Sequence, residues 1–413
     1  MVDTGPLGKN LRESRRGSGY SQEELAERSN LSISTIRKIE QGGSARIETL
    51  HTLARTLGIE TSSLFDAKAP EPVGPEEEKN KLSLLRLRQV LTPAVGISGK
   101  IDADSSLQSA GTSSDDLRSE LVHATTLYHA DEFESMALIL PEMILTANSL
   151  MQAAAEEQRA ETFRLRANVY QLVGWFLTQV RQYDLAYAAI REGIADAVEA
   201  QDRLTAAAGA ISQCWLFIRQ GRFVDAETLA GSTASQIEPR ISSATAPELS
   251  AWGWLLLRGS AAAVRNNREN VSDDFLRLAE VAAVRIGDQE GGEYHQYWST
   301  FDMRTVRMKK AEALMVTGDA RGVLRIAEGI RPKTGNSRSD NHSRHLLDVA
   351  SAHASLRDFQ DSIDIMTGLR ENAPEWLRHQ RKSQDLLSKI LHARKRRLTR
   401  ELRDLANFLN VTE

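Results

Sequence analysis

Hydrophobic residues recur with helical spacing along nearly the whole chain. From Leu117 onward, apolar positions return every three to four residues, the period of a helix with one buried face. Residues 7–65 show the same spacing in shorter segments that are broken by Gly, Ser and Asn. No stretch alternates between apolar and polar residues as a half-buried strand would. The pattern therefore predicts an all-α protein.

Six short polar turns divide the C-terminal pattern into helical segments. They lie at residues 130–133, 181–183, 221–223, 267–269, 318–320 and 357–359. Each turn introduces a helix, often with an aromatic residue near its start, and a small residue commonly follows within one helical turn. The spacing of 39–51 residues fits a hairpin of two helices. Because one hairpin cannot bury both of its faces, we predict an α-solenoid in which each hairpin contacts only its neighbours.

A segment rich in proline and charge separates the two helical regions. Residues 67–81 hold three prolines and an acidic run, which disfavour helix and extend the chain. A short amphipathic stretch follows at 82–91. The predicted organisation is an N-terminal domain at 7–66, a linker with a short helix at 67–116 and a helical repeat domain at 117–413.

The sequence SQEELAERSNLSISTIRKIE at 21–40 predicts two short helices joined by a tight turn. Ser21 and Glu24 have the spacing of a capping box, and Ser32 can cap the second helix. That helix directs Ile36 inward and keeps a polar outer face. Two short helices in this arrangement are typical of a helix-turn-helix.

Five segments near the N-terminus carry a family resemblance. They are LRE at 11–13, SQEELA at 21–26, STIRKIE at 34–40, ETL at 48–50 and LGI at 57–59. With these segments in register, the N-terminal domain resembles the lambda-repressor/Cro-like regulators, also called the XRE type. The resemblance implies a domain that binds double-stranded DNA. The alternative is a degenerate helix-turn-helix that is kept for protein contacts.

The resemblance implies DNA contacts at eight positions. Gln22 stands where the family holds a phosphate at the start of the second helix. Ile33, Ser34 and Lys38 stand where the recognition helix reads base edges. The remaining positions, expected to contact the DNA backbone, are Thr35, Arg37, Ser44 and Arg46.

The charge of the N-terminal region argues for two copies of the chain on DNA. Residues 1–66 hold nine Lys or Arg and nine Asp or Glu, so the region is neutral. Because DNA affinity depends on the number of phosphates neutralised, one such domain is expected to bind weakly. We therefore expect a homodimer on a palindromic operator.

The C-terminal region resembles tetratricopeptide (TPR) repeats, as in LYHADEFESMA at 127–137. The whole layout resembles actinobacterial XRE-type regulators with a TPR-like region, and it is similar in architecture to the peptide-pheromone receptors of Gram-positive bacteria. These resemblances imply a transcription regulator whose helical domain mediates dimerisation and senses a peptide, a small molecule or a protein partner. The alternative is a TPR-type interaction scaffold, or an antitoxin-like partner, with a secondary helix-turn-helix.

Five of the six tryptophans lie in the middle of the repeat region. They can form the core between helices, or they can wall a concave pocket that also holds a few polar groups. For such a pocket, the candidate ligand-binding residues are Gln213, Trp298, Arg304 and Arg344.

Cysteine and histidine content, together with missing motifs, argues against several classes of function. Cys214 is the only cysteine, which excludes disulfides within the chain and suits a reducing cytoplasm. His342 and His345 have a spacing that could share a metal, but surface histidines often have it, so we predict no metal and no cofactor. No phosphate-binding loop or nucleophile elbow is present, and we predict no enzyme. The longest uncharged stretch has 15 residues, shorter than the ~20 of a membrane span.

Overall fold

The computed structural model describes residues 6–43, 45–64, 84–93, 97, 113–287, 294–296, 299–330, 340–393 and 399–411. Four helices and a closing 3₁₀ helix make up the N-terminal domain. They are α1 (Pro6–Gly17), α2 (Gln22–Ser29), α3 (Ile33–Glu40), α4 (Ile47–Leu57) and the 3₁₀ helix Thr61–Leu64. A separate short helix, α5 (Leu85–Leu91), lies in the region predicted as the linker.

The helix caps predicted at Ser21 and Ser32 in the N-terminal domain are confirmed. The hydroxyls of Ser21 and Ser32 each accept a hydrogen bond from the amide three residues later, at 3.0 and 3.1 Å. Asn30, in the left-handed conformation with φ 55°, closes α2, and Gly58, with φ 69°, closes α4. Ile36 packs in a core that also includes the fully buried Leu11, Leu25, Leu50 and Leu53. Helices α2 and α3 therefore form the predicted helix-turn-helix.

Six helical hairpins follow, and the predicted polar turns lie between the two helices of each hairpin. The pairs are α6 (Ser114–His129) with α7 (Phe133–Ala153), α8 (Glu156–Gln179) with α9 (Tyr183–Glu199), α10 (Arg203–Gln220) with α11 (Phe223–Gln236), α12 (Ala246–Arg265) with α13 (Glu269–Gly287), α14 (Met303–Thr317) with α15 (Ala320–Glu328), and α16 (Asp340–Ser355) with α17 (Phe359–Asn372). The fold class, an all-α chain with an N-terminal helix-turn-helix and an α-solenoid, is confirmed.

The six turns share one backbone conformation. Each contains one left-handed residue, two positions before the second helix begins: Asp131, Arg181, Gly221, Asn267, Gly318 and Arg357. Small residues that follow the turns are buried between helices: Ala137, Ala186, Ala226, Ser272 and Ser362. The first helices of successive hairpins also contact each other and form one continuous layer, from α6 to α16.

A short antiparallel hairpin, which the sequence pattern did not predict, lies between α13 and α14. It pairs β1 (Tyr294–Gln296) with β2 (Ser299–Phe301). Its last residue, Phe301, is fully buried against Gly253 of α12, where a Cβ atom would lie 2.1 Å from the ring. Three residues per strand are too few to give a visible alternation of apolar and polar positions.

The two ends of the solenoid contact each other. Three short helices end the chain: α18 (Pro374–His379), α19 (Arg381–Ala393) and α20 (Arg400–Leu409). The Phe133 amide at the start of α7 donates a hydrogen bond to Glu375 of α18 at 2.7 Å, and the His379 ring packs edge-on against the Phe133 ring. The expectation that each hairpin contacts only its neighbours is therefore wrong at the ends. We call helices α6 to α20 the closed array.

Helix α7 has the length and hydropathy of a membrane span, and it is the one such helix in the described ranges. Its buried residues, including Met136, Leu140 and Ile144, belong to the core of the closed array. Helix α7 packs against α6 and α8, as a core helix does.

Candidate functional site

Most polar side chains of helix α3 lie on a solvent-exposed side, opposite two buried isoleucines. Ile36 and Ile39 are buried in the domain core. On the opposite side, Ile33, Ser34 and Lys38, the predicted base-reading residues, lie together on an exposed surface. With Arg37, Gln41 and Gly43 they line a shallow groove, and we call this surface the α3 face. Lys38 makes no ion pair within the part of the chain that the structure describes.

A buried carboxylate fixes the end of α3 to α1. The Arg15 guanidinium donates to both oxygens of Glu40, at 2.6 and 3.2 Å. Burial acts to raise the pKa of Glu40, but the hydrogen bonds from Arg15 and Gln22 and the charge of Arg15 hold that pKa below its usual value. Glu40 was not among the residues predicted from the sequence. Its position at the end of α3, directly after the inward-facing Ile36 and Ile39, was the feature of the sequence that could have indicated a buried carboxylate.

Gln22 belongs to the same network. Its amide nitrogen donates to Glu40 at 2.7 Å, and its amide oxygen accepts a hydrogen bond from Arg37 at 3.3 Å. Arg37 also pairs with Glu23 at 3.0 Å across an exposed surface. The structure therefore brings together Gln22 and Arg37, two of the residues expected at phosphates, beside the α3 face. Thr35 is half-buried against the Ser32 hydroxyl, and Ser44 lies outside the described residues.

Helix α4 and the 3₁₀ helix dock on the edge of the closed array where its hairpin turns lie. Hydrogen bonds between described residues join the N-terminal domain to the array. From the N-terminal domain, His51 donates to the Val264 carbonyl (3.2 Å), Arg55 to the Val316 carbonyl (3.2 Å) and Thr61 to the Arg265 carbonyl (2.6 Å). From the array, Asn267 donates to the Ile59 carbonyl (2.7 Å). Ile47 packs against an apolar cluster that includes Phe217 and Phe223. Helix α4 therefore faces the array, and the α3 face remains exposed.

Arg46 takes part in this docking. At the start of α4 it forms an ion pair with Asp385 of α19. Burial raises the pKa of Asp385 to about 6, although the charge of Arg46 opposes that rise. Arg46, which the resemblance places at the DNA backbone, is thus engaged between the two domains. A phosphate contact from Arg46 therefore competes with this ion pair or uses the guanidinium donors that the pair leaves free.

Two titrating groups in the docking interface have pKa shifts of opposite sign. Burial lowers the pKa of His51 to about 4, so acid favours the undocked state, where histidine has a value near 6.5. We expect undocking to expose Asp385 and return its pKa towards 3.8, so that this group has the reverse effect. Between pH 6 and 4 the two effects largely cancel, and docking of the wild-type chain is expected to change little.

Asp385→Asn should reveal the histidine effect. As the pH falls from 6 to 5, docking of this variant should weaken by about 1.4 kcal/mol per pH unit. Energy transfer between a label on α2 and a label on α13 measures the docked fraction in the full chain. His51→Gln is the matched variant and should dock more strongly as the pH falls. Equal pH dependence in the two variants would contradict this account.

Three of the four candidate ligand residues of the array lie within the described residues, and each has its own surroundings. Arg344 donates to Gln380 at 2.9 Å, and Arg304 donates to His342 at 3.3 Å. Gln213 is half-buried on α10, about 120° around the helix axis from Arg219 of the same helix. Trp298 lies outside the described residues. The charge of Arg344 acts on the charged residues Arg219, Arg258 and Lys309 of the array interior.

Comparison with known proteins identifies the N-terminal domain. Residues 11–64 match the family model described as helix-turn-helix, and the match runs from within α1 to the 3₁₀ helix. The match supports a helix-turn-helix of the XRE type in this part of the chain, a domain type found in DNA-binding regulators. A search of curated proteins found no match to the chain. No group of three or more potential metal ligands occurs among the described residues.

Proposed function

We propose that this protein is a cytoplasmic, sequence-specific transcription regulator that binds palindromic DNA as a homodimer. In this proposal the closed array mediates dimerisation and senses an effector. The observation that carries the proposal is the division of the N-terminal domain into two surfaces. Helix α4 is docked on the array, while Ile33, Ser34 and Lys38 of the α3 face remain open to solvent. DNA can therefore be read without release of the domain from the array.

The same division disfavours the alternative of a scaffold with a secondary helix-turn-helix. The array contacts α4 and the 3₁₀ helix and leaves the α3 face uncovered. The internal anchor of Glu40 also holds α3 in a defined orientation. A recognition helix that is both fixed and exposed is what base reading requires.

Ion pairing within the chain strengthens the case for a dimer. Four of the nine cations of the neutral N-terminal region pair with a carboxylate, Arg12, Arg15, Arg37 and Arg46, which lowers the number available to phosphates. A second copy doubles the number of available contacts. The array offers a surface for pairing on α13, where Leu278, Val281 and Val284 form an exposed apolar stripe.

Val281→Glu should weaken that pairing. A buried, unpaired carboxylate in an apolar interface is strongly unfavourable, so the dimer is expected to dissociate to monomers. Light scattering measures the mass, and fluorescence anisotropy should show at least a tenfold loss of affinity for a palindromic duplex. Val122→Glu, at an exposed position on α6, is the control and should leave both measurements unchanged. A Val281→Glu variant that remains dimeric would exclude α13 as the interface.

A binding experiment with the full chain tests the function itself. Labelled DNA from upstream of the protein's own coding sequence is titrated at fixed salt, against a scrambled duplex of equal length. We expect the upstream DNA to bind at least ~10³-fold more tightly than the scrambled duplex, as specific regulators do. Equal affinity for both duplexes, or no binding, would favour the scaffold alternative.

A further inference from the structure

Five charged side chains lie inside the closed array, on the first helices of four successive hairpins. They are Arg219 of α10, Arg258 of α12, Lys309 and Glu312 of α14, and Arg344 of α16. Helices α10, α12, α14 and α16 contact each other in that order, and the charge of Arg344 acts on each of the other four residues. We call these five residues the inner cluster. It holds four cations and one carboxylate.

The single carboxylate is already shared. Glu312 accepts a hydrogen bond from Lys309 at 2.9 Å and another from Arg265 at 2.5 Å. The nearby Asp348 is engaged with Lys382 of α19. Neither Arg219 nor Arg258 makes a hydrogen bond or ion pair with any residue in the described ranges, although the charge of Glu48 acts on Arg219 and that of Glu312 acts on Arg258.

Arg258 is held in place by aromatic rings rather than by an anion. Its guanidinium lies 5.2 Å from the centre of the Trp254 ring and 5.6 Å from that of Trp215. The Nε atoms of Arg219 and Arg258 are buried and have no hydrogen-bond partner. Both side chains are half-buried, so part of each remains accessible. A desolvated guanidinium with unused donors is a strong site for an anion.

We propose that the inner cluster binds a small anionic ligand through a carboxylate or phosphate group, with Arg219, Arg258 and Arg344 as the binding residues. This deepens, and rests on, the proposed role of the array as an effector sensor. Guanidinium groups match both oxyanions in bidentate geometry. The tryptophan rings beside Arg258 lower the local polarity and strengthen the attraction to the ligand charge.

The inner cluster is connected to the DNA-binding domain through Arg265. The Arg265 side chain pairs with Glu312, and its backbone carbonyl accepts the hydrogen bond from Thr61 of the 3₁₀ helix. An anion bound at Arg258 and Arg344 brings a negative charge near Glu312, because both arginines interact electrostatically with Glu312, and it thereby changes the surroundings of Arg265. Ligand binding is thereby linked to docking, to the extent that the docked and undocked states differ in affinity for the anion.

Isothermal titration calorimetry on the full chain tests the site, with inorganic phosphate and citrate as separate probes. We expect saturable binding of at least one probe, and at least a tenfold weaker affinity in Arg258→Gln and in Arg344→Gln. Binding of phosphate alone assigns a phosphate ligand, and binding of citrate alone assigns a carboxylate ligand. Arg277→Gln, which alters an exposed ion pair on α13, is the control and should bind as the wild type does.

Two results would overturn the proposed anion site. One is that neither probe binds to the wild-type chain, and the other is that both cluster variants bind as tightly as the wild type. If Arg258→Gln does not fold, as judged by its thermal transition, Arg344→Gln and the conservative Arg344→Lys carry the test. Affinity for specific DNA is measured on the wild-type chain without either probe. Specific DNA binding without anion binding rejects the site alone, whereas loss of both rejects the proposed function.

Discussion

Glu40→Gln is expected to lower the free energy of unfolding of the N-terminal domain by about 3–5 kcal/mol. Glu40 is almost fully buried, and it is the carboxylate to which the buried Arg15 is bonded. The amide that replaces it carries no charge, so the Arg15 guanidinium is left desolvated and uncompensated. Because this pair joins α1 to the end of α3, specific DNA binding should fall together with stability.

Hydrogen exchange of the α2 and α3 amides in the full chain measures this effect. The matched control is Glu23→Gln, which removes the exposed ion pair with Arg37 and should cost less than about 1 kcal/mol. Similar losses in the two variants would show that Glu40 is not an anchor. The lowered pKa of Glu40 gives a second test. Its contribution is complete above pH 4.5, the value of an unperturbed glutamate, and should be lost as the pH falls through the lower native pKa.

Lys38→Ala is expected to weaken binding to the preferred DNA sequence by about 1–3 kcal/mol and to relax the preference at one base pair. Lys38 lies on the α3 face without an ion pair in the described residues, so its ammonium group is free to donate to the acceptors of a guanine. A phosphate contact would instead weaken binding to every sequence by the same factor.

Anisotropy with the preferred duplex and with single-base variants of it separates these cases. Lys310→Ala, an exposed lysine on α14, is the control for the loss of one positive charge and should leave affinity nearly unchanged. If Lys38→Ala reduces affinity for all duplexes equally, Lys38 contacts the backbone and does not read a base.

Local structure could be predicted from the sequence because its causes are local. The caps at Ser21 and Ser32 depend on residues three positions apart, and the six hairpin turns depend on short polar segments. The inward direction of Ile36 and the exposure of Lys38 follow from helical periodicity alone. These signals were sufficient for the fold class and for the position of the α3 face.

Contacts between distant segments could not be predicted in this way. The pairing of Arg46 with Asp385, and the closure of the array at Phe133 and Glu375, join residues that lie in different domains or at opposite ends of the array. Arg258 illustrates the same limit. Its spacing on α12 shows that it shares a helix face with Trp254, but whether it finds an ion-pair partner, which it does not among the described residues, depends on how four other helices pack.

The central claim is that a docked N-terminal domain reads DNA through the α3 face as part of a dimer. Selection of random duplexes by the full-length chain, followed by sequencing of the bound fraction, tests this claim most directly. The account predicts enrichment of a palindrome whose half-sites lie about one helical turn apart, or a multiple of it. It also predicts that Lys38→Ala changes the enriched bases and keeps the spacing. Recovery of duplexes with no shared sequence would contradict the account.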